Sequence, residues 1–487
     1  MELSQEQRLE SQEYRSKIIE EIKGTENSDR MESSLEDYDI FKGSIKPYVI
    51  RQLEEQFSVG LVSEVPIVSS INILKKSVKA KATLYREAPV RTFTDLSDKQ
   101  TEVVEQVYKD MRMDAQMMQS NELFELQGQT HCLIEPKNGR LTLRPVKSHQ
   151  LNVVPSELDP ETGEIFIFSS YDKGTSNKKE DSSDGMNQKI ADTNDYDLEQ
   201  EKYFIWSKSF HFVMNGKGEI LTEDFISPLI EYGISPVIEI AGLKDFTYWI
   251  EGTNEDSEFT VMYNCSQSML GQVVNLSSFA QAFLKTTSDL MPQSVSVGPT
   301  RILKLIIDPN VEGGDKTEFG YASPNADITG AREYSESLLS QYLSSQGLSP
   351  ASISGSASNA DKFTSGTDRF LAQIEKFEAS KDAMDIYRHA ETSIYKVIVA
   401  WLNVLSGSEI LDKKYHVGSA ISLESEVSLE YKMPTAITTD LEKLDKLERE
   451  LELNLKTPTE AYAEYRDVSL VEAQEAMKEI EPAIDVE

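Results

Sequence analysis

Cysteine, histidine and tryptophan are scarce in this chain: two, five and three among 487 residues. His131, His149, His211, His389 and His416 are scattered, with no HxxxH or HExxH spacing, so no metal site is expected. Cys132 and Cys265 read as reduced, buried thiols. His131 and Cys132 are neighbours in a strand-like run, where adjacent side chains leave on opposite faces, so they cannot serve as base and nucleophile. Phosphate-binding glycine loops are missing as well; SISGSAS has one glycine and no lysine. The 83 acidic residues are too many for any carboxylate pair to stand out. No cofactor is expected and no residue is nominated for catalysis.

Long hydrophobic runs are also lacking. The longest, Ile394 to Leu405, is interrupted by Tyr395, Lys396 and Asn403 and is too short to span a bilayer. The opening MELSQEQRLESQEYRSKIIEEI has no apolar core, so no signal peptide is expected, and the chain reads as soluble and intracellular. Positive charge is in deficit: 49 basic residues leave a net charge of −34. That balance argues against gripping nucleic acid by phosphate neutralisation, which needs a basic face, and against an anionic membrane as partner.

What is present is helix-friendly sequence around a smaller β-rich middle. Residues 3–23 and Met31 to Phe57 read as helices, with Pro47 a break or restart. IVSSINILKKSVKAKATLYREAPVRTF (67–93) puts Ile67, Ile71, Leu74, Val78 and Ala82 on one helix face and concentrates Lys75, Lys76, Lys79 and Lys81, ending with Arg86 and Arg91. This most basic patch of an acidic chain is either a solvated face or a contact with an acidic neighbouring subunit. A helix is expected from Leu96 to Leu126, with Ser97 and Gln100 as a capping box and Met111, Met113, Met117 and Met118 as adaptable core filling.

The period then changes to two. Strands are expected on both sides of Asn138-Gly139, over 164–171, 202–214 and 219–225, forming a small antiparallel sheet within 125–240. Between them, 172–202 is too polar to order itself and reads as a mobile excursion. A helix follows from Asp256 to Lys285, then strand-like RILKLIID (301–308) and TEFGYAS (317–323), then a helix from Ala331 to Gln346. Leu348 to Gly366, LSPASISGSASNADKFTSG, is almost all small and polar. It feeds a proline-free stretch from Thr367 to Leu405 with Phe370, Ile374, Phe377, Met384, Tyr387, Ile394, Ile398, Trp401 and Leu405 on one stripe, roughly 55–60 Å of helix. Thr364 or Ser365 suits its N-cap, and Gly407 its stop. Strands over 421–434 and two or three short acidic helices complete the chain.

This order of pieces resembles the portal proteins of tailed bacteriophages. FTSGTDRFLAQIEKFEASKDAMDIYRHAETSIYKVIVAWL (363–402) resembles the helix that follows the portal tunnel loop, and ISPVIEI (234–240) the segment before the first stem helix. ITTDLEKLDKLERELELNLKTPTEAYAEYRDVSLVEAQEAMKEI (437–480) is similar to the helical ending of those proteins, and the LYREAPVR segment also fits. The likeness covers most of 35–480. Size is the departure: little sequence follows the helical tail, so a long barrel beyond the crown is not expected.

The resemblance implies a mainly helical α+β portal fold. Residues 1–250 would hold the N-terminal helices and the wing with its small antiparallel sheet, 251–285 the first stem helix, 286–330 an α/β clip and 331–347 the second stem helix. The tunnel loop would be 348–363, the long wing helix and wing strands 364–434, and a short helical crown 435–487. It further implies a homo-oligomeric ring, twelvefold in the virion, assembled in the host cytoplasm and set at a capsid vertex. Such a ring conducts double-stranded DNA and docks the terminase motor, head–tail adaptors and major capsid protein. Ser352, Ser354, Gly355, Ser356, Ser358, Asn359 and Lys362 would face the DNA, where small polar side chains slide past phosphates without holding them. Arg301 and Lys304 would meet an adaptor or line the channel, unless they are solvated strand ends. Lys75, Lys76, Lys79 and Lys81 would be the inter-subunit patch. The alternative is a ring-forming helical scaffold or adaptor of a virion that does not conduct DNA.

Overall fold

Helices α1 (Gln5–Arg8), α2 (Gln12–Ile22), α3 (Thr25–Lys42) and α4 (Lys46–Gln56) open the chain. The structure, a computed structural model, describes residues 4–56, 68–171, 201–223, 225–250, 255–277, 281–286, 303–306, 318–322, 328–346, 348, 374–431, 440–453, 456–466 and 473–474. Gly43, at φ +111°, ends α3, and Pro47 sits in the first turn of α4, where its missing N–H costs nothing; the restart expected there is what forms. The chain divides into two units, one of Met1–Tyr342 with Ser380–Lys432 and one of Leu343–Ala379 with Met433–Glu487.

In the first unit α5 (Ile73–Lys81) leads to strand β1 (Val90–Phe93), then α6 (Asp98–Met111) and α7 (Met113–Gln127). The expected capping box is present, with Gln100 Oε1 accepting from the Ser97 N–H at 2.9 Å. One helix was expected here and two form, because Arg112 adopts φ +53°; both Met111 and Met113, on either side of the break, are thereby buried. Met117 is buried and Met118 packs on the same core, as adaptable filling should.

The β-rich middle makes two sheets where one was expected. The first orders β3 (Arg140–Val146), β2 (Gln129–Lys137) and β8 (Val237–Ala241), all antiparallel. Its Asn138-Gly139 turn has φ of +53° and +78°, the two left-handed residues a tight hairpin demands. The second orders β4 (Leu151–Pro155), β5 (Gly163–Tyr171), β6 (Glu201–Trp206) and β7 (His211–Asn215), also antiparallel. The single strand expected over 202–214 is split by a turn closed by the Ser207 N–H on the Phe210 carbonyl. No strand forms over the described residues of 219–225; Ile220 makes only an isolated bridge to Met214. Alternation places Ile165, Ile167, Tyr203, Ile205, Phe212 and Met214 against α2 through Ile18, Ile19 and Ile22, while Phe166, Phe168 and Trp206 join the main core.

Further along come α8 (Glu255–Ser277), strands β9 (Gln281–Thr286), β10 (Leu303–Ile306) and β11 (Glu318–Ala322), and α9 (Ile328–Ser345). The helix expected to reach Lys285 stops at Ser277, because 281–286 becomes the central strand of a mixed sheet, parallel to β10 and antiparallel to β11. Long-range pairing has overridden local helical preference. α10 (Ile374–Leu405) is the long helix, and Gly407 at φ +82° follows its end. Its expected start at Thr367 lies outside the described residues. Of the strands expected over 421–434, β12 (Val427–Glu430) forms, paired antiparallel with β1.

The second unit includes α11 (Asp440–Glu452) and α12 (Pro458–Arg466). Thr457 and Glu460 cap α12 reciprocally, and Lys456 joins both Glu450 at 2.8 Å and Glu464. The fold is mainly helical α+β with small sheets. Among the described residues no helix is long and apolar enough to cross a membrane.

Candidate functional site

Apolar pairing holds α8 against α9: Phe259 and Tyr263 meet Leu338, Leu339 and Tyr342, with Ile73 of α5 closing the cluster. Phe259 and Tyr342 stack with ring centres 3.7 Å apart and planes 6° apart. The Tyr342 hydroxyl donates to Asp256 at the start of α8, and Gln267, further along α8, donates to Ser335, earlier in α9. Advancing along one helix is therefore retreating along the other. The pair is an antiparallel hairpin, and the three-stranded mixed sheet lies between its helices in sequence. Burial first, then the Asp256 carboxylate, raise the Tyr342 phenol far above its ordinary value, keeping it a donor.

A second face of α8 is polar and buried. Ser257, Thr260, Asn264 and Ser268 recur at helical spacing, so all four lie on one side. Asn264 treats the extended chain at 69–71 as a strand would: its Nδ2 donates to the Ile71 carbonyl at 2.8 Å, and its Oδ1 accepts from the Ile71 N–H at 2.6 Å. Ser268 Oγ accepts from the Ser69 N–H at 2.8 Å, and Thr260 Oγ1 from the Leu74 N–H at 3.1 Å. Asn72 caps α5 by accepting from the Lys75 N–H at 2.8 Å. These bonds fix the basic helix on the hairpin. Lys81 reaches Asp256 at 3.4 Å and Lys79 reaches Glu122 at 3.9 Å, both in the same chain. Lys76 is exposed and Lys75 half-buried on the outer face.

The long helix is anchored by a buried ion pair. Glu391, wholly buried, accepts from Arg91 Nε at 2.7 Å, Arg91 Nη2 at 2.8 Å and the Tyr85 hydroxyl at 2.8 Å. Arg91 also donates to Asp114 at 2.7 Å, and Tyr85 meets the Tyr431 hydroxyl at 2.9 Å. β1, α7, α10 and the residue after β12 are tied at one point. Burial and then the Glu391 charge raise the Tyr85 phenol well above its usual range. Nothing in the spacing of these residues along the chain announces the pairing.

The two cysteines are buried and free. Cys132 faces Ser120 at 3.2 Å while His131 faces the Tyr248 hydroxyl, the opposite directions expected of strand neighbours. Burial lifts the Cys132 thiol to about 12, which keeps it protonated and unreactive. His389 is exposed on α10. Among the described residues no group of three or more histidine, cysteine or acidic side chains could hold a metal ion.

Of the residues singled out from the sequence, Ser352, Ser354, Gly355, Ser356, Ser358, Asn359, Lys362 and Arg301 lie outside the described residues, as does most of 172–202. Lys304 lies in β10, in register with Leu284 of β9. Sequence reasoning missed three apolar side chains on two neighbouring turns: Leu158, 97% exposed, and Leu243 and Phe246, 100% and 82% exposed. Single leucines and phenylalanines in polar loops carry no signal that separates a displayed side chain from a buried one.

No family model matches the chain, and no curated protein matches it. Among solved structures the chain is similar to one described as the neck of an empty GTA particle computed with C6 symmetry, at 11% identity and a TM-score of 0.41, over 82% of this chain and 90% of that one.

Proposed function

We propose that this chain is a portal subunit of a tailed-phage-like particle. In this reading it forms a homo-oligomeric ring at a capsid vertex, twelvefold when assembled. The ring conducts double-stranded DNA during packaging and ejection and docks the terminase motor and head–tail adaptors. The observation that carries the reading is the α8–α9 hairpin bracketing a mixed three-stranded sheet, followed by the long helix α10, in the order the sequence resemblance requires. On it, α8 and α9 are the stem, the sheet between them the clip, and α10 the beam joining the tunnel loop to the wing. The bidentate Arg91–Glu391 pair then keeps that beam from sliding in the wing while DNA passes.

Charge supports the same reading. A conduit for a moving polyanion must not hold phosphates, since every neutralised phosphate adds affinity and hence drag. A subunit of net charge −34 meets that requirement. Electron microscopy of the purified full chain is the test. Hollow rings with an axial channel of roughly 30–40 Å, wide enough for duplex DNA, are expected. Monomers, or closed particles without a channel, at all concentrations would refute the reading. Rings that fail to retain DNA in an otherwise complete particle would instead favour a scaffold or adaptor.

A further inference from the structure

Two turns of the first unit are joined into one exposed tip by hydrogen bonds to Glu161. The β4–β5 turn is braced by Asp159, whose Oδ2 accepts from Thr162 Oγ1 at 2.6 Å and whose carbonyl accepts from the Thr162 N–H at 3.0 Å. The segment after β8 docks on it: the Phe246 N–H donates to Glu161 Oε1 at 3.0 Å, and Lys244 Nζ donates to the Glu161 carbonyl. Lys244 is turned inward, ion-paired with Glu239 and set over the Tyr248 ring at 4.1 Å. The outward side chains are then Leu158, Leu243 and Phe246, beside exposed Asp159 and Asp245, with Glu157 paired to Arg8 at 2.9 Å. Phe246 holds φ +54°, a conformation that strains a bulky residue. A braced, strained turn that displays a phenylalanine to water gains nothing for the isolated chain.

We propose that this tip docks on a second copy of the chain, against the outer face of the basic helix α5. Charge selects that occupant. Copies carrying −34 each repel one another, so self-contact needs an acidic rim to meet concentrated positive charge. The densest basic run of the chain is α5, where Ile71, 46% exposed, precedes Lys75, Lys76 and Lys79, the last within 3.9 Å of Glu122, with Arg86 exposed nearby. Apolar tip and acidic rim on one copy would meet apolar residue and basic rim on the next. Two different patches make the contact heterologous, the kind that closes into rings rather than pairs. The inference rests on the ring reading and names the surface that builds the ring.

Assembly of the full chain by mass photometry, with circular dichroism as a folding control, tests it. Leu243→Ser with Phe246→Ser should fold as the parent does and raise the half-assembly concentration about tenfold or more, the usual effect of removing an interface aromatic. Phe246→Gly should raise the thermal midpoint, by relieving the strained turn, while weakening assembly. Asp245→Lys and Lys76→Glu should each weaken assembly, and together restore it. Parent-like assembly of the Leu243→Ser, Phe246→Ser variant overturns the inference and leaves the ring reading standing. Failure of the paired charge swap to restore assembly overturns α5 as the partner surface. A parent chain that never assembles overturns both readings.

Discussion

Asp37 of α3 is 6% exposed and accepts a hydrogen bond from Ser257 in the first turn of α8. Burial pushes its carboxyl up to about 7; the Ser257 bond opposes the shift, and Glu36, Asp256 and Glu258 add to it. The unfolded chain releases that proton near 4, so between about 4 and about 7 the folded state binds more protons. Its contribution to stability is therefore greatest in acid and declines as pH rises through that window. Asp37→Asn should remove the decline, leaving the protein roughly 2–4 kcal/mol more stable than the parent at pH 8 and nearly equal at pH 4. Urea midpoints measured across that range check it, and an unchanged pH slope would sink the assignment. His131 acts with opposite sign. Burial first, then Lys244 and Arg30, hold its imidazole near 3, so the stability it supports above pH 6.5 is lost as acid protonates the unfolded chain first. At the ion pair, Arg91→Ala strands the Glu391 carboxylate in the core and should cost about 3–5 kcal/mol. A loss under 1 kcal/mol would mean that Tyr85 alone satisfies the carboxylate.

Elements show where local pattern sufficed. The Asn138-Gly139 hairpin, the Ser97–Gln100 box, the restart at Pro47 and the stop before Gly407 were all legible, because each is decided by the steric or hydrogen-bonding needs of adjacent residues. Of the mixed sheet, β10 and β11 were legible as strands and β9 was not, since whether 281–286 continues a helix or pairs with 303–306 and 318–322 depends on chain brought from far away. The long helix lies between these cases. Its apolar stripe was readable, but Val397 to Leu402 are buried on every side, which a stripe does not foretell. Trp401 fills the core there and donates from Nε1 to the Ile134 carbonyl at 3.0 Å. Trp401→Ala should cost about 3–5 kcal/mol, visible as a lowered thermal midpoint. A loss near that of a surface substitution would show the core closing over the gap.

At the scale of the whole molecule, charge and order of elements carry the argument. A chain of net charge −34 should bind linear duplex DNA too weakly to detect by fluorescence anisotropy at physiological salt; micromolar binding with a steep salt dependence would contradict a low-drag conduit. By itself the sequence determined the mainly helical α+β class, most helices and hairpins, the absence of metal and nucleophile spacings, and the resemblance from which the portal reading starts. The helices, hairpins and missing spacings follow from composition, period and neighbour-to-neighbour chemistry; the portal reading follows from the resemblance of whole segments and their order. Tertiary structure alone decided that α8 and α9 pair antiparallel, that Glu391 meets Arg91 and Tyr85, and that Leu158, Leu243 and Phe246 stand exposed on two turns joined through Glu161. Each joins residues distant along the chain, and only the fold brings their charges, hydroxyls and apolar surfaces within reach.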